Sequence, residues 1–268
     1  MSEEATMLLA IDVGNSNIVL GIFEDQTLTE SWRLATLRER TSDELRVLVS
    51  RLFDECGLSM RQVSGVVLSS VVPQLTGTAI DMVRRAFAQE TLVIDATNAG
   101  LPIRYHAPED VGADRLVNGV AAVAQYGGAG RAIIVVDFGT ATTFDAISAS
   151  GQYLGGVICP GVEISADALF QRAARLPRVD VRRPDQIIGT STVGAMQSGL
   201  YYGYVAMVEG IVRRLRVELA GDQPAVCVAT GGLADTIAEE TDAIDDVSRD
   251  LTLDGLRLCW QRNTGRGA

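Results

Sequence analysis

Residues 132–145 read AIIVVDFGTATTFD, and this stretch decides the fold. A β-branched run (Ile133, Ile134, Val135, Val136) leads to Asp137. The run breaks at Gly139, passes Thr140, Thr142 and Thr143, and resumes as Phe144, Ala146 and Ile147. The pattern predicts an apolar strand, a turn crowded with hydroxyls and a second strand, a β-hairpin with a carboxylate at its mouth. Gly139 lets backbone approach a ligand with no Cβ in the way. The threonines offer O–H donors, and the turn offers N–H groups that can converge on an anion. Phosphate fits such a cradle, and Asp137 can hold a cation beside it.

The same device recurs near the amino end, where residues 8–23 read LLAIDVGNSNIVLGIF, with Asp12, Gly14, Asn15 and Ser16 between two apolar runs. One Asp-x-Gly turn is a weak signal, and a plain hairpin turn explains it. Two copies 125 positions apart (12 to 137), heading halves of similar length, point to a duplicated fold that closes on a nucleotide from both sides.

Bulk properties narrow the function class. A 268-residue chain with 47% hydrophobic residues can bury a sizeable core as one large domain or two moderate ones. No apolar run reaches the ~20 residues of a membrane span. The polar start MSEEAT lacks a secretory pattern, so a cytoplasmic protein is expected, with no membrane partner. A formal net charge of −11 argues against nucleic acid. The arginines at 172, 175, 178, 182 and 183 are interrupted by Asp180 and Asp185 and read as a solvated face. Cys56, Cys159, Cys227 and Cys259 lack Cys-x-x-Cys spacing and read as reduced thiols.

Between the hairpins, residues 28–34 predict a third strand. Thr41-Ser42-Asp43-Glu44 opens a helix with a capping box, residues 65–72 predict a buried strand, and another strand follows at 91–95. This order fits one α/β half, antiparallel strands first and crossover helices after, over residues 1–126. A second half over 127–268 starts after the Gly-rich stretch 127–130.

Three features bear on chemistry. Gly112-Ala113-Asp114-Arg115 puts a carboxylate and a guanidinium at a helix start, where free N–H groups favour an anion. Asp114 as a helix cap with Arg115 solvated is the commonest fate of such a pair. The alternative gives Asp114 the proton of a substrate hydroxyl and Arg115 a substrate carboxylate. The Pro-bounded loop before it and the apolar helix after it favour the second. Thr230-Gly231-Gly232 is either a plain strand-to-helix turn or bare backbone on which an adenosine lies. His106, the sole histidine, has no partner at metal spacing. No P-loop pattern and no Gly-x-Ser-x-Gly pattern is present.

Nine stretches together resemble the type III pantothenate kinases, of the acetate kinase, sugar kinase, Hsp70 and actin superfamily. They are IDVGNSN, WRLAT with the later TSDEL, SSVVP, VGADRLVN, VVDFGTATTFD, GGVICPGV, STVGAMQSG, ATGGLA and DLTLDGL, in family order from residue 8 to about 263. Ser16 stands where the family commonly has threonine, and it keeps the hydroxyl. The resemblance implies an α/β, duplicated ribonuclease H-like (actin-like ATPase) fold: two similar halves with a nucleotide cleft between them. It also implies ATP-dependent phosphorylation of pantothenate to 4′-phosphopantothenate, the first step of coenzyme A biosynthesis.

Residue by residue, the resemblance makes Asp114 the general base, with Tyr105, Gly112, Ala113 and Arg115 around pantothenate. Thr192 would come from the partner subunit of a homodimer. Asp12 would organise Mg²⁺, with Val13, Gly14, Asn15, Ser16 and Asn17 at the ATP phosphates. Asp137 would belong to a monovalent-cation site (K⁺ or NH₄⁺), and Gly139, Thr140, Thr142 and Thr143 to the phosphates. Gly231 and Gly232 would face adenosine. Two rivals stand beside this: a non-catalytic relative acting as a regulatory accessory factor, and a kinase for another small hydroxyl or carboxyl substrate.

Overall fold

The computed structural model describes residues 7–128, 130–219 and 224–265. The expectations drawn from MSEEAT, and Ala129 of the Gly-rich stretch, lie outside the described residues. The chain forms two compact units. One comprises Met1–Leu101, His106–Ala121 and Leu251–Ala268, the other Pro102–Tyr105 and Ala122–Asp250.

In the first unit, β1 (Met7–Val13), β2 (Asn17–Glu24) and β3 (Thr27–Ala35) form an antiparallel meander. Helix α1 (Ser42–Glu55) follows, with the predicted capping box: Glu44 N–H donates to Thr41 Oγ1, and Thr41 N–H donates to the Glu44 carboxylate. Strand β4 (Val63–Ser70) then returns parallel to β1, α2 (Pro73–Phe87) crosses over, and β5 (Thr91–Val93) closes the sheet. The strand order is β3-β2-β1-β4-β5. Apolar alternation on β1, β2 and β4 feeds a core shared with Leu45, Val49 and Phe53 of α1 and Leu75, Ala79 and Val83 of α2.

Helix α3 (Ala113–Tyr126) starts in the first unit, and α7 (Leu251–Thr264) packs there although it is last in the chain. The reason is contact at bare backbone. A Cβ on Gly65 would lie 2.3 Å from the Trp260 ring, and one on Gly255 2.1 Å from the Val117 carbonyl oxygen. A division at residue 126 therefore does not follow the packing of α7.

The second unit repeats the plan. Strands β6 (Ile133–Phe138), β7 (Ala141–Ile147) and β8 (Tyr153–Pro160) form the meander. Helices α4 (Val162–Arg172) and α5 (Thr192–Glu218) follow, then β9 (Val226–Gly231), α6 (Ala234–Ala238) and β10 (Asp246–Val247). β9 runs parallel to β6, and the sheet order is β10-β9-β6-β7-β8. Counted from β8, this is the strand plan of the first sheet. Two sheets of one topology bear out the expected duplicated ribonuclease H-like fold. Among the described residues no helix is long and apolar enough to cross a membrane.

Candidate active site

In the first unit, Asp12 is the penultimate residue of β1 and lies opposite Ser69 of β4. Ser69 Oγ donates to Asp12 Oδ1 at 2.6 Å. The turn beyond Asp12 is closed by Gly14 N–H on the Asn17 carbonyl (2.9 Å) and braced by the residue after β3: Thr36 Oγ1 donates to the Gly14 carbonyl at 2.7 Å, and Thr36 N–H to the Ser16 carbonyl at 2.9 Å. Asn15 and Ser16 are exposed at its tip, while the Val13 side chain is buried in the core. Val13 can therefore meet a ligand only through backbone, and its carbonyl already accepts Val71 N–H at 3.0 Å.

Val71 also touches the second feature of this unit. A Cβ on Gly112 would lie 3.5 Å from Val71 Cγ1 and only 2.5 Å from Asp114 Oδ1. Leu116 N–H donates to the Gly112 carbonyl at 3.2 Å, which makes Gly112 the N-cap of α3 and places Asp114 in its first turn. The Asp114 carboxylate folds back into the space the glycine leaves and accepts Arg115 N–H at 2.8 Å. Desolvation pushes its carboxyl above the usual range, opposed by that N–H and by the Arg115 charge. Arg115 is itself 9% exposed, a guanidinium withdrawn from water rather than solvated. The plain capping reading is thus met in part, since Asp114 satisfies one first-turn N–H. It explains neither the desolvated carboxylate nor the buried arginine.

In the second unit, Asp137 is the penultimate residue of β6 and lies opposite Thr230 of β9, just as Asp12 lies opposite Ser69. Gly139 N–H donates to the Ala141 carbonyl at 3.1 Å, closing a turn like that at Gly14. Gly231 has φ +91°, and a Cβ there would lie 2.6 Å from the Phe138 carbonyl oxygen and 2.7 Å from Asp137 Oδ1. Only bare backbone lets the Thr230-Gly231-Gly232 turn close over Asp137. Gly232 N–H seals it by donating to the Phe138 carbonyl at 3.2 Å.

Thr142 and Thr143 lie on opposite faces of β7. Strand alternation puts Thr143 on the face of Asp137, its pairing partner, and Thr142 on the face of Phe138 and Phe144, which pack in the helix-covered core. Thr142 is buried and its Oγ1 has no hydrogen-bond partner among the described residues. Tyr105 is 42% exposed and stacks obliquely on Tyr153. Thr192 is exposed as the first residue of α5, whose N-cap Ser191 accepts Gly194 N–H. A pocket of about 300 Å³ beside it is lined by Arg182, Arg183, Thr190, Ser191, Gly194 and Gln197, among others, but not by Thr192.

A profile of the type III pantothenate kinases matches residues 8–214. The chain belongs to the type III pantothenate kinase family. A type III pantothenate kinase of Moorella thermoacetica is 52% identical over 96% of this chain and 100% of its own. Among solved structures, a Campylobacter jejuni protein named for the Baf family of transcriptional activators superposes with a TM-score of 0.59. It is 19% identical over 96% of this chain and all of that one. The inorganic polyphosphate/ATP-glucomannokinase of Arthrobacter sp. strain KM gives 0.50 at 15% identity, over 97% of this chain and 100% of that one. Those two likenesses show the fold.

Within the family frame, several residues that the chemical reading of the sequence passed over take part in the geometry. Ser69 and Thr36 lie inside the SSVVP and WRLAT stretches and hold the Asp12 turn. Asp145, the last residue of the opening stretch, is 0% exposed and accepts the Tyr153 hydroxyl at 2.7 Å. A carboxylate in mid-strand flanked by apolar residues was the available signal, because an aspartate there is stable only if it is satisfied.

Proposed function

We propose that this chain transfers the γ-phosphoryl group of ATP to the primary hydroxyl of pantothenate, forming 4′-phosphopantothenate for coenzyme A biosynthesis. The family membership over the full chain supports the substrate. The observation that carries the chemistry is the Asp114 carboxylate, desolvated, folded against Gly112 and lifted above the usual carboxylate range. An elevated carboxylate is a better proton acceptor at neutral pH than an exposed one. The pantothenate oxygen bonds to the γ-phosphorus as the bond to the bridging oxygen of the departing ADP breaks, and the hydroxyl proton passes to an Asp114 oxygen. In a loose transition state that proton leaves late, so the carboxylate mainly orients the attacking oxygen. Arg115 binds the carboxylate of pantothenate, and Gly112, Ala113, Tyr105 and Thr192 line the substrate.

The Asp12 turn, with Asn15, Ser16 and Asn17, takes phosphate oxygens, as do Gly139, Thr140 and Thr143. Gly231 and Gly232 face adenosine. Among the described residues no three His, Cys, Asp or Glu side chains gather as a metal site. That fits Mg²⁺, which is commonly held by one or two carboxylates and by the substrate's phosphates; Asp12 would supply the carboxylate. Asp137 with neighbouring hydroxyls and carbonyls is a hard-oxygen set suited to K⁺ or NH₄⁺. When bound, these cations offset charge on the transferring group.

A homodimer through α5 is part of the same reading. Ala195, Gly199, Gly203 and Ala206 lie exposed along one side of the helix, and Gly199 and Gly203 have open space where a side chain would be. The test is ADP release with and without pantothenate, in potassium and sodium buffers, with the phosphorylated product weighed by mass spectrometry. ADP release that ignores pantothenate would overturn the reaction. A fully active monomer in sedimentation would overturn the dimer.

A further inference from the structure

Asp145 lies on β7, two residues after Thr143 and therefore on the same face of the sheet. A carboxylate at 0% exposure is costly unless hydrogen bonds hold it. Each oxygen here has a different partner. Oδ1 accepts the Tyr153 hydroxyl at 2.7 Å, and Oδ2 accepts Thr143 Oγ1 at 3.4 Å. One carboxylate thus ties the hydroxyl side of the β6–β7 turn to the first residue of β8.

Tyr153 in turn grips the segment that carries Tyr105. Tyr153 N–H donates to the Pro102 carbonyl at 2.8 Å, and Arg104 N–H donates to the Tyr153 carbonyl at 2.8 Å, so residues 102–104 run beside β8 as a short parallel bridge. The Tyr105 ring lies 6.5 Å from the Tyr153 ring at 58°. Its other support is Gly155, at φ +118°, where a Cβ would come within 3.2 Å of Tyr105 Cε2. Tyr105 is exposed, but everything beneath it is fixed.

We infer that Asp145 and Tyr153 form a buried clamp that positions Tyr105 against pantothenate. Both are positioning residues. The inference rests on the reading of Tyr105 as a pantothenate residue. It predicts an effect confined to one substrate, which a merely structural pair would not produce.

The test uses Tyr153→Phe, which keeps the ring and loses the hydroxyl, and Asp145→Asn, which keeps the shape and loses the charge. Removing a hydrogen bond to a charged partner should raise the pantothenate KM about tenfold. The ATP KM should stay within about twofold and kcat within about threefold. Hydrogen–deuterium exchange over residues 102–106 should rise about tenfold in both variants while the β1–β2 peptide stays unchanged, since loss of such a bond frees the segment it holds. Unchanged exchange in 102–106 overturns the clamp, whatever the wild type phosphorylates. Raised exchange with an unshifted pantothenate KM overturns its role toward substrate. A wild type that does not turn over pantothenate refutes the proposed reaction instead, and the exchange arm still decides the clamp. If Tyr153→Phe does not fold, Asp145→Asn carries both measurements.

Discussion

Ser69 Oγ donates to Asp12 Oδ1 at 2.6 Å across the parallel pairing of β4 with β1, and Thr230 stands in the same register opposite Asp137 across β9 and β6. Each sheet therefore offers an aspartate at the penultimate position of its central strand, faced by a hydroxyl residue from its parallel neighbour. For Asp12 that hydroxyl fixes one oxygen and leaves the direction of the other defined. Ser69→Ala removes a buried bond to a charged group, worth ~1.5–3 kcal/mol. The expected result is a lower melting temperature and an ATP KM raised about tenfold, with the pantothenate KM unchanged. A lower melting temperature with normal ATP kinetics would assign Ser69 to stability alone.

Asp137 is separated from the Thr230-Gly231-Gly232 turn only by the missing side chain of Gly231. Gly231→Ala must seat a Cβ within 2.7 Å of Asp137 Oδ1 at φ +91°, so the carboxylate or the turn has to move. Strain of this kind costs about 1–3 kcal/mol. Potassium activation should weaken in this variant and disappear in Asp137→Asn. Rates measured in potassium, ammonium and sodium chloride at equal ionic strength check it. Wild-type rates equal in sodium and potassium would remove the monovalent site from the mechanism.

The two hairpins and the capping box at Thr41 were legible in the sequence because each is a local pattern: apolar alternation or cap spacing. The packing of α7 was not. It depends on Gly65 and Gly255 meeting Trp260 and Val117, pairs far apart in the chain with no local signature. At the site, the Asp-x-Gly turns could be seen, but Ser69 and Thr36 could not be tied to them without the strand register. Thr142 stands apart, because period-two alternation places it on the face opposite Asp137 and Thr143.

That face difference can be measured directly. Thr142→Val removes a buried hydroxyl that has no partner among the described residues, so it should leave kcat and both KM values within about twofold and hold or raise the melting temperature. Thr143→Val removes a hydroxyl from the Asp137 face and should raise the ATP KM about tenfold, the loss expected for one hydrogen bond to a charged group. Equal losses in the two variants would show that Thr142 reaches the phosphates and that β7 turns over in the working enzyme.

Asp114 allows activity and stability to be set against each other. Its carboxyl is raised in the folded chain, so the unfolded chain releases this proton first as pH climbs. Ionising it therefore lowers stability from about pH 3.9, the ordinary aspartate value, up to the raised folded one, and the full penalty persists above that. Asp114→Asn lifts the penalty at neutral pH. Its amide oxygen can still accept Arg115 N–H, so the melting temperature at pH 7–8 should equal or exceed that of the wild type. Meanwhile kcat should fall ~10²–10⁴-fold, the usual cost of a lost general base. The acid limb of the wild-type kcat/KM profile should vanish with it, because the elevated carboxyl sets that limb. Gly112→Ala should act on the same group by steric means: a Cβ 2.5 Å from Asp114 Oδ1 drives the carboxylate out of its niche, lowers kcat and moves the acid limb to lower pH. Melting curves and pH–rate profiles on the wild type and both variants decide the matter. If Asp114→Asn melts early and turns over normally, the residue is a helix-end ligand for Arg115 N–H and the base lies elsewhere.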